Sequence, residues 1–596
     1  ARELRPQVDP LGAIESFVAS LARRVRRFGE TRAAYLTLAF AFVLAGALIL
    51  AWGRGQTFIN DEWTYLVIDR GWSLGTLLTP QNGHLIVLPL LLYKGLFATV
   101  GAGSHLPYQG VAAILHLTVA LLFFLLVRTR LRLPLAVGLT VLVVFFGAGW
   151  DTIMGAYELP NLCGMAAGLG MLLALERRTG GGDLAACGLL ALSLASFSIG
   201  IAFALGALLA IWLGGRAQWK RAWIVAVPSI LYLAWFLWAR RFGQSEVTAA
   251  AISSMFSGIA DQLAAICAGI IGLFRTPGSV GLPTLIEVRP EWGYPLALGL
   301  VGLVALHLRR ASRSIHFWTV AGVLFFYLVL VSAGLGPGRE PNAGRYVYMG
   351  GVLTLLLVAE LGRDIRWSTA LGLVAFVVFG LALVANVAEL RDGGRLFEAE
   401  GDTNRATLAA LELSRDRVDP NFPVEDGSVT HSHPDMFFTA SAYFEATRDF
   451  GSPAFSPEEL LGASELAREA ADEELVRALA LAVKPTAVPK VDPRGVPPKL
   501  LKASGGRAKP VASCFLLVPD LGQTGSFQIE LPPGGLAYRT APGTEVKLAL
   551  SRFGEAFATG LPPTAGSAEV AIPTDASDVP WRVELDAARR TTVCPR

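Results

Sequence analysis

Between residues 32 and 388 long apolar runs alternate with short polar breaks, and this pattern limits the chain's fold more than any other feature. In a bilayer the backbone must satisfy its own hydrogen bonds, which leaves helices and closed barrels. Runs of about 20 apolar residues select helices, because that length crosses about 30 Å of hydrocarbon. The clear candidate spans are 32–52, 108–127, 133–150, 158–176, 221–239, 293–308, 315–334, 346–362 and 367–388. The stretch 183–213 is too long for one span and is expected to make two, turning near 196–200. Only 17% of the residues are charged, against roughly 25% in a soluble protein. From about residue 390 the chain reads as an ordinary water-soluble domain, so two regions are built for two solvents.

Charge sets the expected topology. Two further apolar segments, 84–100 and 256–274, could cross or lie at the surface. If neither crosses, the clusters Arg128/Arg130/Arg132, Arg177/Arg178, Arg216/Lys220/Arg221, Arg309/Arg310/Arg313 and Arg363/Arg366 all share one face with the basic N-terminal flank Arg23/Arg24/Arg26/Arg27. The positive-inside rule makes that face cytoplasmic and leaves Arg240/Arg241 as the exception. The expected fold is a multi-span α-helical membrane protein of about eleven transmembrane helices plus interfacial helices, with a C-terminal extracytoplasmic α+β domain ending in a β-sandwich. Its expected parts are a cytoplasmic N-terminal segment 1–31, a transmembrane domain 32–390, a helical region and linker 391–511, and the sandwich 512–596. The first apolar run lacks a small-residue cleavage site and reads as a retained helix. Abundant Ala, Gly, Arg and Leu with few Lys suggest a high-GC bacterium, hence a bacterial plasma membrane.

The water-soluble part changes character along its length. Residues 391–418 mix charges with Leu and Ala as an amphipathic helix does, and helical signatures follow at 435–448 and 457–483. Ser456-Pro457-Glu458-Glu459 is a helix start with a cap and a proline at the first position. Residues 484–511, rich in Pro and Lys, read as a linker, and 512–594 alternate apolar and polar residues as sandwich strands do. Of five cysteines, Cys163, Cys187 and Cys267 lie in apolar segments and read as inert. Cys514 and Cys594 bracket the sandwich and are expected to form a disulfide in an oxidising compartment. The sandwich reads as a carbohydrate-binding module that holds a glycan acceptor, or as a structural appendage or partner-docking domain, and its few aromatics argue against the first. His431 and His433 read as a solvated loop rather than a metal site. Net charge is +3 and no basic block suggests nucleic acid as a partner.

Polar residues gather at the expected outer ends of the spans. The first outer loop carries Asn60-Asp61-Glu62-Trp63 and then Gln81-Asn82-Gly83-His84. A second set is Asp151 with Tyr157-Glu158, and a third is Gly338-Arg339-Glu340-Pro341-Asn342-Ala343-Gly344-Arg345-Tyr346. Taken alone, Asn60 or Asp61 would cap a short helix 62–70. Three such sets at one depth suggest a site instead, since ionisable groups at a membrane face are costly unless solvated, paired or functional. A carboxylate can take the proton of an acceptor hydroxyl, and an arginine can hold a donor phosphate. That chemistry suits glycosyl transfer from a lipid-linked sugar with inversion.

The segment from Asp61-Glu62 through Gly83-His84-Leu85 to Arg128-Thr129-Arg130 resembles the polytopic GT-C glycosyltransferases, in the branch of protein O-mannosyltransferases and lipid A aminoarabinose transferases. Those families carry prolines in the turn where Gly83-His84-Leu85 stands, and this chain does not. Arg345-Tyr346 is similar to the Arg-Tyr that opens a late span there. The resemblance, over roughly 30–390, implies Asp61 as base, Arg345 as donor-phosphate ligand, and Asp151 as the second-loop carboxylate that binds metal in some members. It implies His84 and Glu62 as supporting residues, and a polyprenyl-phosphate-linked sugar as donor. The candidate set is thus catalytic Asp61, Glu62 and Asp151, with substrate-binding His84, Glu158, Arg339, Glu340, Arg345 and Tyr346. No cofactor is called for; no DxD motif occurs, which leaves a divalent metal open. The acceptor would be a cell-envelope glycan, a lipid or a protein. The competing readings are a flippase for lipid-linked glycans and a non-catalytic envelope assembly protein. No internal repeat supports a transporter.

Overall fold

The computed structural model describes residues 10–243, 253–275, 287–288, 290–310, 314–335, 339–363, 368–425, 437–557, 559–575 and 577–596. His431 and His433 lie outside them. The chain forms two compact units: Ala1–Arg54, Gly71–Tyr93 and Tyr108–Leu396 make the first; Gly55–Arg70, Lys94–Pro107 and Phe397–Arg596 the second.

The first unit is helical. Among the described residues nine helices are long and apolar enough to cross a membrane: Gly29–Trp52, Leu106–Val127, Leu133–Met154, Ala156–Glu176, Trp219–Phe242, Glu291–Arg309, Ile315–Ala333, Gly344–Gly362 and Thr369–Leu413. Shorter apolar helices cover Val87–Val100, Gly180–Leu194, Ile199–Leu213 and Met255–Ile271. The stretch expected to turn near 196–200 does so, between the second and third of these. Two short strands, Phe274–Arg275 (β1) and Glu287–Val288 (β2), pair antiparallel. Two buried polar side chains of this unit have several partners each. Buried His116 bonds the Tyr348 hydroxyl at 2.8 Å and the Val144 carbonyl at 3.1 Å. The Asn386 amide donates to the carbonyls of Gly269 and Ala382 and accepts from the Ala148 N–H.

The last span and the expected amphipathic helix after it are one helix of 45 residues, Thr369–Leu413. Helical hydrogen bonds are internal, so the element continues when its surroundings change from lipid to water and only its side chains need to change. Gly393 and Gly394 do not break it. They let it pass close to Trp150 and Trp52, where a Cβ on Gly394 would fall 2.7 Å from the Trp52 carbonyl oxygen.

The second unit is α+β. A small antiparallel pair, Pro423–Glu425 (β3) and Phe437–Thr439 (β4), precedes helices Ala440–Phe450, Pro457–Gly462 and Glu465–Ala478. The start read at Ser456 is a full capping box: Ser456 Oγ accepts from the Glu459 N–H and Glu459 accepts from the Ser456 N–H. Eleven strands then follow: Val483–Pro485 (β5), Lys499–Ser504 (β6), Gly506–Val511 (β7), Cys514–Pro519 (β8), Gly525–Glu530 (β9), Gly534–Arg539 (β10), Glu545–Ser551 (β11), Thr559–Ala565 (β12), Ala568–Ile572 (β13), Arg582–Ala587 (β14) and Thr591–Pro595 (β15). They form a six-stranded sheet, β5-β13-β10-β15-β8-β7, and a five-stranded sheet, β12-β11-β14-β9-β6. Both are antiparallel, and Phe527, Ile529, Leu536, Tyr538, Leu548 and Val583 from their inner faces share one buried core.

The stretch 484–511, expected as linker, contributes strands at sheet edges instead. Its β6 and β7 are outermost in their sheets, and Pro510 sits in β7, where a missing N–H does not break a central ladder. The Cys514–Cys594 disulfide is present and joins the neighbouring strands β8 and β15. Asp472, on the last of the three helices, accepts from the N–H groups of Arg552, Phe553 and Gly554 and so fastens that helix to the turn after β11. Burial nevertheless holds its carboxyl above the usual carboxylate range.

Candidate functional site

The helix Gly344–Gly362 begins at Ala343, whose methyl offers no acceptor to the exposed N–H groups of a helix start. The acceptor comes from a different helix. Asp151, in the short helix Trp150–Met154, takes the Arg345 N–H on Oδ2 at 3.1 Å and the Thr152 N–H on Oδ1 at 2.7 Å. A carboxylate there is also favoured by the helix dipole. Gly344 makes the approach feasible: a Cβ at this position would lie 2.7 Å from Asp151 Cγ. Asp151 thereby fixes the backbone that carries Arg345.

Around the Arg345 guanidinium the sequence sets two and three come together. Arg345 stacks over Tyr346, 5.1 Å from the ring centroid, and the Tyr346 carbonyl accepts from the Tyr327 hydroxyl at 2.9 Å. Glu158 and Tyr157 lie within electrostatic range of Arg345, as does Asp151. Glu158 is buried and accepts from the Asn161 amide, while Asp151, Tyr157, Arg345 and Tyr346 are half-buried. One cation, two carboxylates and phenol rings therefore meet where the helices Gly344–Gly362 and Leu159–Glu176 begin. Such a group can receive an anion on the guanidinium while the carboxylates orient it. Arg339 is half-buried and Glu340 exposed just before this helix start.

His84 has its own partners. Its Nδ1 hydrogen-bonds Ser198 Oγ at 2.6 Å and its ring lies 4.2 Å from that of Phe197, so it holds the turn between Gly180–Leu194 and Ile199–Leu213. The Leu88 N–H donates to the Ala195 carbonyl in the same turn.

In the second unit Asp61 and Glu62 have different surroundings. Glu62 is fully buried; its Oε2 accepts from the Ile59 N–H at 3.1 Å and its Oε1 pairs with His105 Nε2 at 3.0 Å. Asp61 is half-buried. Asn60 stands at the N-cap with φ 51° and makes no side-chain capping bond, so the capping role read for it is not played. The loop is clamped by the chain after residue 397. Trp63 packs 4.7 Å from Phe438, Arg70 pairs with Glu445 and Asp449, and the Ala102 N–H donates to the Phe450 carbonyl at 2.6 Å. Tyr443, stacked on Phe438, donates to Glu412; burial and that carboxylate push its phenol well above the ordinary range.

Sequence reasoning missed His105 and Tyr327. His105 and Tyr327 stand alone in their segments, and nothing local marks their partners 43 and 19 residues away. Asn161, three residues after Glu158, carried a usable signal: that spacing puts both on one helical face. Among the described residues no group of three or more His, Cys, Asp or Glu stands together as metal ligands, and both Asp151 oxygens already accept hydrogen bonds.

Fold and polar group together define a polytopic helical membrane protein with an appended β-sandwich. The chain is similar to two crystal structures of ArnT from Cupriavidus metallidurans. One is bound to undecaprenyl phosphate (13% identity, TM-score 0.40, covering 65% of this chain and 81% of that one). The other is in the apo state (13% identity, TM-score 0.42, 76% and 96%). The functional reading rests on this chain's own residues. No family model and no curated protein matches the chain.

Proposed function

We propose that this protein is a membrane glycosyltransferase that moves a sugar from a polyprenyl-phosphate donor to an extracytoplasmic glycan, lipid or protein, with inversion. The observation that carries the reading is Arg345: a half-buried cation at the start of an apolar span, its backbone held by Asp151, its face stacked on Tyr346, with Glu158 nearby. Arg345 takes the donor phosphate in charge-assisted contacts and steadies it as it leaves. The acceptor oxygen bonds the anomeric carbon as the carbon–phosphate oxygen bond breaks, and a carboxylate receives the acceptor proton. Asp61 is assigned as that base on its chemistry and half-exposure, with Glu62 as its buried support. The N-terminus is cytoplasmic and the sandwich extracytoplasmic in this reading, which suits its disulfide.

The test is transfer by the purified full-length protein from a panel of polyprenyl-phosphate sugars. Arg345→Gln should cost about 10²–10³ in kcat/KM, the scale of one lost preorganised charge contact. Retained transfer in that variant, or no turnover of any donor by the parent protein, would sink the assignment.

A further inference from the structure

At the other end of the same spans lies a cleft. Glu360, which lines it, and Arg345 stand on one helix, about 22 Å apart along its axis at 1.5 Å per residue. The cleft therefore sits at the arginine-rich end of these spans and is separate from the candidate site.

Its floor is an ion-pair cluster. Arg130 is bonded by both Glu176 and Glu360, with 8% of its side chain exposed. Beside the floor, Arg221 is held by Asp183 at 2.6 Å. The walls are apolar: Leu172, Ala210, Ile211 and Val320 project from three spanning or re-entrant helices. The mouth is different. Arg178 is exposed, has no acidic partner among the described residues, and adopts φ 51° past the end of the helix Leu159–Glu176. His316, 44% exposed, lines the same opening and is paired with Glu176 at 3.4 Å. An apolar slot with the arginine Arg178 at its entrance matches one kind of occupant.

We propose that this cleft binds an anionic phospholipid, its phosphate on Arg178 and one acyl chain along Leu172, Ala210, Ile211 and Val320. The floor ion pairs close the slot beneath the chain end and take no part in recognition. The assignment does not depend on the transferase reading.

Native mass spectrometry of the full-length protein tests it, with phosphatidylglycerol, phosphatidylcholine and inorganic phosphate as probes. Phosphatidylglycerol should be retained in preference to phosphatidylcholine. The variant Arg178→Gln alters an exposed side chain and should keep the parent melting temperature, yet weaken phosphatidylglycerol about tenfold, the scale of one charge-assisted hydrogen bond. Ala210→Trp fills the slot and should weaken both lipids. Equal retention of the two lipids, or phosphatidylglycerol binding unchanged in either variant, overturns the proposal. So does inorganic phosphate binding that displaces phosphatidylglycerol, which would make the mouth an anion site without a tail.

Discussion

Asp151 offers the sharpest test of how the candidate site is built. Replacement by alanine removes the acceptor of two helix-start N–H groups, Thr152 at 2.7 Å and Arg345 at 3.1 Å. Loss of one such cap costs about 1–2 kcal/mol, so the variant should lose about 2–4 kcal/mol of stability. Asparagine keeps one oxygen and should lose about half of that. Gly344→Ala attacks the same contact from the other side, because its Cβ would overlap the carboxylate. All three let the start of the Arg345 helix shift, so the donor should bind about tenfold more weakly, a change of about 1.4 kcal/mol. The assay is steady-state transfer with donor varied, alongside thermal unfolding of the purified protein. A KM that rises about tenfold with kcat changed less than about threefold marks Asp151 as a positioning residue. A kcat that falls about a thousandfold at saturating donor, with KM and unfolding unchanged, would refute the capping argument and put Asp151 in the chemistry.

Two further outcomes are expected. Glu62→Ala leaves His105 and the Ile59 N–H unsatisfied in a buried setting and should cost about 2–5 kcal/mol, whereas Asp61→Asn should abolish transfer while melting close to the parent; equal melting of the two variants would remove the distinction. Cys514→Ser with Cys594→Ser opens a link across 80 residues, worth about 4.5 kcal/mol by chain entropy; unchanged resistance to denaturant in the sandwich would contradict this.

Much of this architecture is written in local patterns. Apolar runs mark the spans because the bilayer tolerates little else, and alternation marks β9, β11 and β14 because each faces core on one side and water on the other. The meeting of Asp151, Glu158 and Arg345 was legible because charge fixed which span ends share a face. Side-chain roles were less so. Nothing in Asp61-Glu62 says that the second carboxylate is buried on a histidine 43 residues later, nor that Asp151 would cap another helix. The β6–β7 edge was hidden by its own composition: lysine and proline suit a strand with one unpaired side, and the same residues signal a linker. Leu390 looked like a boundary because the solvent changes there, yet the helix runs on to Leu413.

The strand order has a consequence for how the sandwich is completed. β14 and β15, the last two strands in sequence, are inner strands: β14 lies between β11 and β9, and β15 between β10 and β8. Until they arrive, each sheet exists as two halves with nothing to join them, and Cys514 waits without its mate. Assembly from the N-terminal side cannot finish stepwise. The stretch 582–596 acts as a double zipper, and a polypeptide cut before it would present two raw edges and a reactive thiol to chaperones.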